Sequence, residues 1–192
     1  TAEKGVINRC ALTAIVSCHA LICTDLSSSG SLLTKDTTRT ASMATQEASG
    51  DDVCPFCQIA DKQTNTEILF SQDEELLCFR DVKPGAETHF LVVTRRHIDN
   101  CRMLQTQHIP LVERMVEVAR SVLEENKVHN SEDNRMGFHL PPFTSVPHLH
   151  LHVLCPASKM NVRAQLRYGP QSHWFITVNK VLSQLKTSGK VK

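Results

Sequence analysis

The stretch Pro147-His148-Leu149-His150-Leu151-His152-Val153-Leu154 puts an imidazole at every second position of an apolar run. On an extended strand, successive side chains point to opposite faces. His148, His150 and His152 therefore share one face, and Leu149, Leu151 and Val153 enter the core on the other. A helix would scatter positions i and i+2 and waste the pattern. Three adjacent imidazoles could be packed core residues, metal ligands, an interaction strip or catalytic groups. Packing is a poor account, because each buried ring nitrogen needs a partner. Histidines at i and i+2 of a strand make a workable metal pair, yet no carboxylate lies beside them to complete a hydrolytic zinc site. A histidine strip is a weak adhesive. The nucleophilic reading uses the whole pattern. A neutral imidazole whose other nitrogen is held by an acceptor attacks phosphorus or an acyl carbon. Its neighbours fix the tautomer, stabilise anionic oxygens or protonate a leaving group.

A second chemical signal is Cys54-Pro55-Phe56-Cys57, two thiols at metal-ligand spacing. Zinc needs four ligands, so the pair is half a site, and two simple buried thiols are the competing reading. The other six of the eight cysteines are unpaired in pattern: Cys10, Cys18 and Cys23 near the N-terminus, and Cys78, Cys101 and Cys155 among apolar residues. That is not a secreted disulfide framework, and it points to a reducing compartment, the cytoplasm or also the nucleus.

Elements able to position these groups begin near residue 51. EILFSQ (67–72) and LLCFRD (76–81) read as a hairpin with an acidic turn, stopped by Lys83-Pro84-Gly85. HFLVVTR (89–95) is a third strand, RMGFHL (135–140) a fourth, and the histidine stretch a fifth. From Ile109 to about Asn126 the apolar spacing turns helical, and the segment after His173 gives a short apolar run and a second helical pattern. The connections are too short for parallel crossovers. The expected fold is α+β: an antiparallel five-stranded sheet, one main helix and a short C-terminal helix.

With 192 residues the chain has room for one domain with a proper core. Twenty-one basic and 20 acidic residues leave a net charge of +1, which provides no field to hold a polyanion. Aromatic residues are only 5%, too few for a platform that stacks single strands. Nucleic acid is therefore not an expected partner. Residues 10–23 form an apolar run too short for a comfortable membrane span and similar to a signal-peptide core. A Ser/Thr-rich stretch follows it, and Met43 opens an ordinary polar leader. Residues 1–50 are read as a disordered leader or upstream extension, with a targeting peptide as the rival. The domain is placed at 51–185 and a tail at 186–192, with no membrane association.

The segment 148–154 matches the histidine triad pattern, in which three histidines alternate with aliphatic residues and an apolar pair closes the run. CPFCQI (54–59), ELLCFRDVKP (75–84), THFLVV (88–93) and Arg96-His97 stand in that family's order and spacing. Over about residues 51–154 the chain resembles the histidine triad nucleotide-binding proteins, and GFHLPPF with the later SHW also resembles the aprataxin branch. The resemblance implies an adenine nucleotide substrate, a homodimer that joins two sheets, and a reaction needing no cofactor. It implies His150 as the nucleophile attacking the α-phosphorus of an adenylate, and His152 and Ser145 on phosphoryl or leaving-group oxygens. His148 and His89 become supporting imidazoles, Asp81 the ribose carboxylate, and Phe79 and Val82 walls for adenine, with Thr144 beside Ser145. A third histidine, where related nucleotidylyl transferases have glutamine, favours hydrolysis of adenosine 5′-monophosphoramidates or acyl-AMP. Removal of AMP from DNA ends and a purely regulatory nucleotide-binding role are the alternatives. In some relatives a CxxC pair holds structural zinc together with two histidines, which here would be His97 and His148. That use of His148 competes with its supporting role.

Overall fold

The computed structural model describes residues 53–129 and 131–192. The expected leader lies outside them. The chain runs α1 (Pro55–Ala60), β1 (Ile68–Phe70), β2 (Leu76–Arg80), β3 (Thr88–Thr94), α2 (Ile109–Glu125), β4 (Arg135–His139), β5 (His150–Cys155), α3 (Val162–Tyr168), β6 (Phe175–Thr177) and α4 (Val178–Ser188). All strands pair antiparallel in one sheet of order β1-β2-β3-β5-β4-β6. The α+β class stands, with six strands in place of the expected five. The additional strand is the apolar run after Trp174. Its three residues are too short to read alone, and it forms because Gly137–His139 of β4 offers it a free edge. The sheet's edges are thus β1 and β6, so a second sheet could be added only there.

One face of the sheet carries the core. Cys78, Phe90, Val92, Phe138, Leu151 and Val153 pack there against α2 and α4. Helix α2 buries Val112, Met115, Val118, Ala119, Val122 and Leu123, a single stripe at helical spacing. Helix α4 is capped by the Thr177 side chain, which accepts from Lys180 N–H, and stops at Gly189 in the left-handed region (φ 73°). The chain remains packed after α4: Lys190 bridges Gln105, and Val191 is buried. Residues 186–192 are therefore part of the domain. Where a tail from residue 186 was expected, α4 continues to Ser188 and Val191 is buried behind it. Among the described residues, no helix is long and apolar enough to cross a membrane.

The opposite face carries two smaller apolar clusters with a gap between them. Phe56 of α1 packs on Leu77, Phe79, Leu91 and Val93. Across the sheet, Ala164 and Tyr168 of α3 pack on Leu154, Met160 and Phe175. Helix α3 was not anticipated; Asn161 caps it by accepting from Ala164 N–H, and Arg135 Nε donates to the Tyr168 carbonyl at its end.

Close approach of β4 and β6 depends on Gly137. A Cβ there would lie 2.3 Å from the Ile176 carbonyl oxygen and 2.6 Å from the Phe175 ring. Backbone cannot yield as a flexible side chain would, so Gly137→Ala is expected to cost about 3 kcal/mol. The measurement is the urea midpoint at unchanged m-value; a midpoint within error of wild type would show that β6 tolerates displacement.

Candidate active site

Alternation places His150 and His152 of β5 and His139 of β4 on the face away from α2, in the gap between the two apolar clusters. Their aliphatic neighbours Leu149, Leu151 and Val153 are at most 1% exposed, which fixes the register. His89, on β3, shares the histidine face and pairs in register with Leu154. A cavity of about 420 Å³ opens here, within the size range of small-molecule sites. His150, His152, Asp81, Ser145, Phe79 and Val82 line it, together with Phe56 and Ile59 of α1. His89 lies behind His152. Thr144 does not line this cavity and borders a separate small hollow beside Phe138 and Leu149.

Backbone groups dictate where the ring protons sit. His150 Nδ1 contacts the His148 carbonyl oxygen, so it must carry the proton and donate. The lone pair is left on Nε2, which has no hydrogen-bond partner among the described residues, in a ring that lines the cavity. Gly85 N–H donates to His89 Nδ1 at 3.0 Å, which puts the His89 proton on Nε2. That N–H lies 2.9 Å from His152 Nδ1 and 3.4 Å from the Asp81 carboxylate. His152 Nδ1 is therefore an acceptor, and its proton is on Nε2. His152 Nε2 is buried and has no hydrogen-bond partner among the described residues, and the same holds for His139 Nε2. Two buried polar atoms without partners are costly unless a ligand completes them. His139, His150 and His152 each bring a ring nitrogen within 4.8 Å of the others.

Burial keeps these rings neutral. It pushes His89 down to about 4, against the pull of Asp81, so their 3.4 Å contact is that of a neutral ring beside a carboxylate and not an ion pair. His139 is likewise brought down to about 4, by burial first and by the Arg167 charge second. His152 falls well below the usual imidazole range through burial, and His150 is lowered by burial in spite of its bond to the His148 carbonyl. A neutral imidazole is what nucleophilic attack requires.

The His148 side chain does not join this group. Strand β5 begins at His150, and a bend before it turns the first ring toward α1. His148 Nδ1 lies 3.3 Å from Cys54 Sγ and 3.6 Å from Cys57 Sγ, and His97 Nδ1 lies 3.3 Å from Cys57 Sγ. The far nitrogens are held as well. His148 Nε2–H donates to the Thr94 carbonyl at 2.7 Å, and His97 Nε2–H to Asp99 at 3.1 Å. The four donor atoms all fall within 4.8 Å of one another. His148 acts on the cavity through its carbonyl, which holds His150. Phe56, between the two cysteines, stands edge-on to both His148 and His150, with ring centroids 5.8 and 5.2 Å away.

Among the cavity residues that were not anticipated are His139, Arg167 and Tyr168. His139 had a legible signal, since Met136 and Phe138 of the same strand are core-type and His139 has the opposite parity. Arg167 and Tyr168 had none, because only the folding of α3 over the sheet brings them to the histidines. The Tyr168 ring lies 5.0 Å from His139 and 5.3 Å from both His152 and His89.

A family profile described as "Scavenger mRNA decapping enzyme C-term binding" matches residues 53–168. The chain is 43% identical over 143 residues to adenosine 5′-monophosphoramidase HINT3 of Xenopus tropicalis, covering 74% of this chain and 94% of that protein. It is 42% identical to the Mus musculus protein of the same name, over 71% of this chain and 83% of that protein. In structure it resembles an aprataxin ortholog, Hnt3, solved with DNA, at a TM-score of 0.52 and 21% identity over 69% of this chain and 75% of that one, a likeness of fold.

The two rings held near 4 make stability depend on pH. The unfolded chain takes up protons at His89 and His139 as pH falls through about 6.5, but the folded chain does so only near 4. The unfolded state binds more protons in that window, so stability falls as pH drops from about 6.5 toward 4. Urea unfolding between pH 7.5 and 5 should show this slope, and His139→Asn should make it shallower. Stability that is flat or rises on acidification would contradict neutral buried rings.

Proposed function

The chain belongs to the histidine triad family, and from that premise we propose that it hydrolyses adenosine 5′-monophosphoramidates and related adenylates such as acyl-AMP, releasing AMP through a nucleotidyl–His150 intermediate. The observation that carries this is the proton arrangement on β5: a bare Nε2 on His150 beside an unpartnered Nε2–H on His152. The first attacks phosphorus. The second is placed to give a hydrogen bond to a phosphoryl oxygen or to the leaving nitrogen; the proton the amine takes up as the P–N bond breaks comes from water, because a neutral imidazole that gave up its one N–H would be left an anion. The proton that builds on the attacking imidazole is already directed to the His148 carbonyl, which favours the imidazolium of the adduct. Water then cleaves the N–P bond and returns His150 to its starting state.

Adenosine is held on the β2 side. Asp81 keeps one carboxylate oxygen on Lys83 N–H at 2.8 Å and has the capacity to accept from ribose hydroxyls. Phe56, Ile59, Phe79 and Leu91 provide an apolar slot for the base, and Ser145 adds a hydroxyl beside the phosphoryl position.

We further propose that Cys54, Cys57, His97 and His148 hold a structural zinc. A tetrahedral ion with Zn–S of about 2.3 Å and Zn–N of about 2.0–2.1 Å separates sulfur and nitrogen ligands by roughly 3.5 Å. The observed S···N separations of 3.3–3.6 Å fit that spacing. Both histidines have their second nitrogen donating to an oxygen, the usual support for a ligating imidazole. Such a centre would brace α1 against the bend before β5. It takes no part in bond making.

His150→Ala should lower AMP release from adenosine 5′-phosphoramidate by at least about 10³-fold with an unchanged circular dichroism spectrum. Quenched wild-type reactions should contain a protein–AMP adduct that the variant lacks. Turnover surviving in the variant would move the nucleophile elsewhere. Purified protein should contain close to one zinc per chain, and Cys57→Ser should reduce both the zinc content and the melting temperature. Wild-type zinc far below stoichiometry would leave the four residues as hydrogen-bonded thiols and imidazoles.

A further inference from the structure

Tyr168 ends α3 and is only 3% exposed, yet its ring lies against polar groups as well as apolar ones. On one side it packs with Leu154, Met160, Ala164 and Phe175. On the other it meets three imidazoles, with ring centroids 5.0 Å from His139 and 5.3 Å from both His89 and His152. Its hydroxyl makes no hydrogen bond among the described residues, so the contacts it makes there are those of the ring. The ring is well anchored. Arg135 Nε donates to the Tyr168 carbonyl, and the Arg167 guanidinium lies 5.6 Å from the ring centre.

The same ring touches the backbone group that starts the proton arrangement. Gly85 approaches it so closely that a Cβ there would lie 2.7 Å from the ring edge. Gly85 N–H sets the His89 proton on Nε2, and His89 Nε2–H in turn leaves the His152 proton on Nε2. Tyr168 thus abuts all three members of this relay: Gly85, His89 and His152. It also lines the cavity of about 420 Å³. Without the ring, the space it fills would open to that cavity and be walled by imidazoles. A space that is both roomy and polar takes up water.

We propose that Tyr168 is a positioning residue for the reaction: its ring holds Gly85, His89 and His152 in their hydrogen-bonded order by filling the space through which water would reach them. This inference rests on the hydrolytic reading above and names what keeps the His152 N–H aimed at the phosphoryl position. Water at the relay would compete for His89 Nδ1 and His152 Nδ1, and the His152 ring would no longer be held in one orientation. It would also let the rings take up protons. The charged and titratable groups that face them are Asp81 after β2, His150 on β5 and Arg167 on α3, besides the rings themselves. Burial outweighs all of these in lowering His89, His139 and His152, so admitting water moves the three toward the ordinary imidazole value.

Steady-state kinetics on adenosine 5′-phosphoramidate and histidine titrations followed by NMR test this in wild type, Tyr168→Leu, Tyr168→Phe and Gly85→Ala. Tyr168→Leu should lower kcat on the order of tenfold, a part of what one oriented donor contributes. KM should change less, because the base slot lies on the β2 side. Tyr168→Phe keeps the ring and should recover most of the loss. In Tyr168→Leu the His89 and His139 titrations should rise from about 4 toward the ordinary value of about 6.5. Gly85→Ala pushes the ring away from the opposite side; it should show both changes and carries the test if Tyr168→Leu does not fold. A loss in Tyr168→Phe equal to that in Tyr168→Leu would make the hydroxyl the active group and overturn the inference. So would a lower kcat with unmoved histidine titrations, or wild-type kcat in both Tyr168→Leu and Gly85→Ala. Wild type that releases no AMP removes the hydrolytic reading, and this inference with it.

Discussion

Burial of Leu149, Leu151 and Val153 is the interaction on which the site depends. Each is at most 1% exposed, and burying a side chain of this kind is worth about 1.5–3 kcal/mol. The three together set the register of β5 against β3 and β4. A slip of one residue would drive the imidazoles into the core and bring the aliphatic groups out. The histidine face is thus held by the residues between its members. The same parity rule, carried across the sheet by antiparallel pairing, delivers His89 from β3 and His139 from β4.

Register alone leaves the protons unassigned, and backbone groups make that choice. A peptide N–H at Gly85 orients His89, which orients His152, and a peptide carbonyl at His148 orients His150. Peptide groups do not titrate, so the tautomers hold across the pH range in which the protein is folded. With every ring neutral, the site has donors and a nucleophile but little charge. A phosphorane carries more negative charge than its precursor, and an imidazole cluster offsets that only as far as its N–H dipoles allow. Full charge enters the cavity from outside the triad, at Asp81, Arg80, Lys83 and Arg167.

The legible part of the site was the part written with local periodicity. Alternation over 147–154 revealed the histidine face, and the helical spacing of Val112 to Leu123 revealed α2. Strand β6 and helix α3 were not legible, because three and seven residues carry too little period to register. Their existence depends on surfaces made elsewhere: the free edge of β4, and the patch of Leu154 and Phe175. Arg167 and Tyr168 were lost with α3. His139 belongs to a strand that was read correctly, but its partner across the sheet is set by pairing, which local pattern does not contain. The bend at His148 was missed for the opposite reason. The alternation is unbroken in sequence, although the strand begins two residues later.

That bend divides the triad into two jobs joined at one residue. The ring of His148 belongs to the sulfur–nitrogen cluster with Cys54, Cys57 and His97, and its carbonyl accepts from His150 two residues on. Phe56 is positioned by the same cysteines and packs on both rings. A shift of the cluster would therefore move the acceptor of the His150 proton and the Phe56 wall of the cavity together. In the proposed role of nucleophile, His150 needs its Nδ1 acceptor fixed to within about a few tenths of an ångström, since a hydrogen bond weakens steeply with distance and angle. A free bend would not provide that. A bend whose side chain is anchored in a four-residue cluster, and whose ring is pinned again at the Thr94 carbonyl, does.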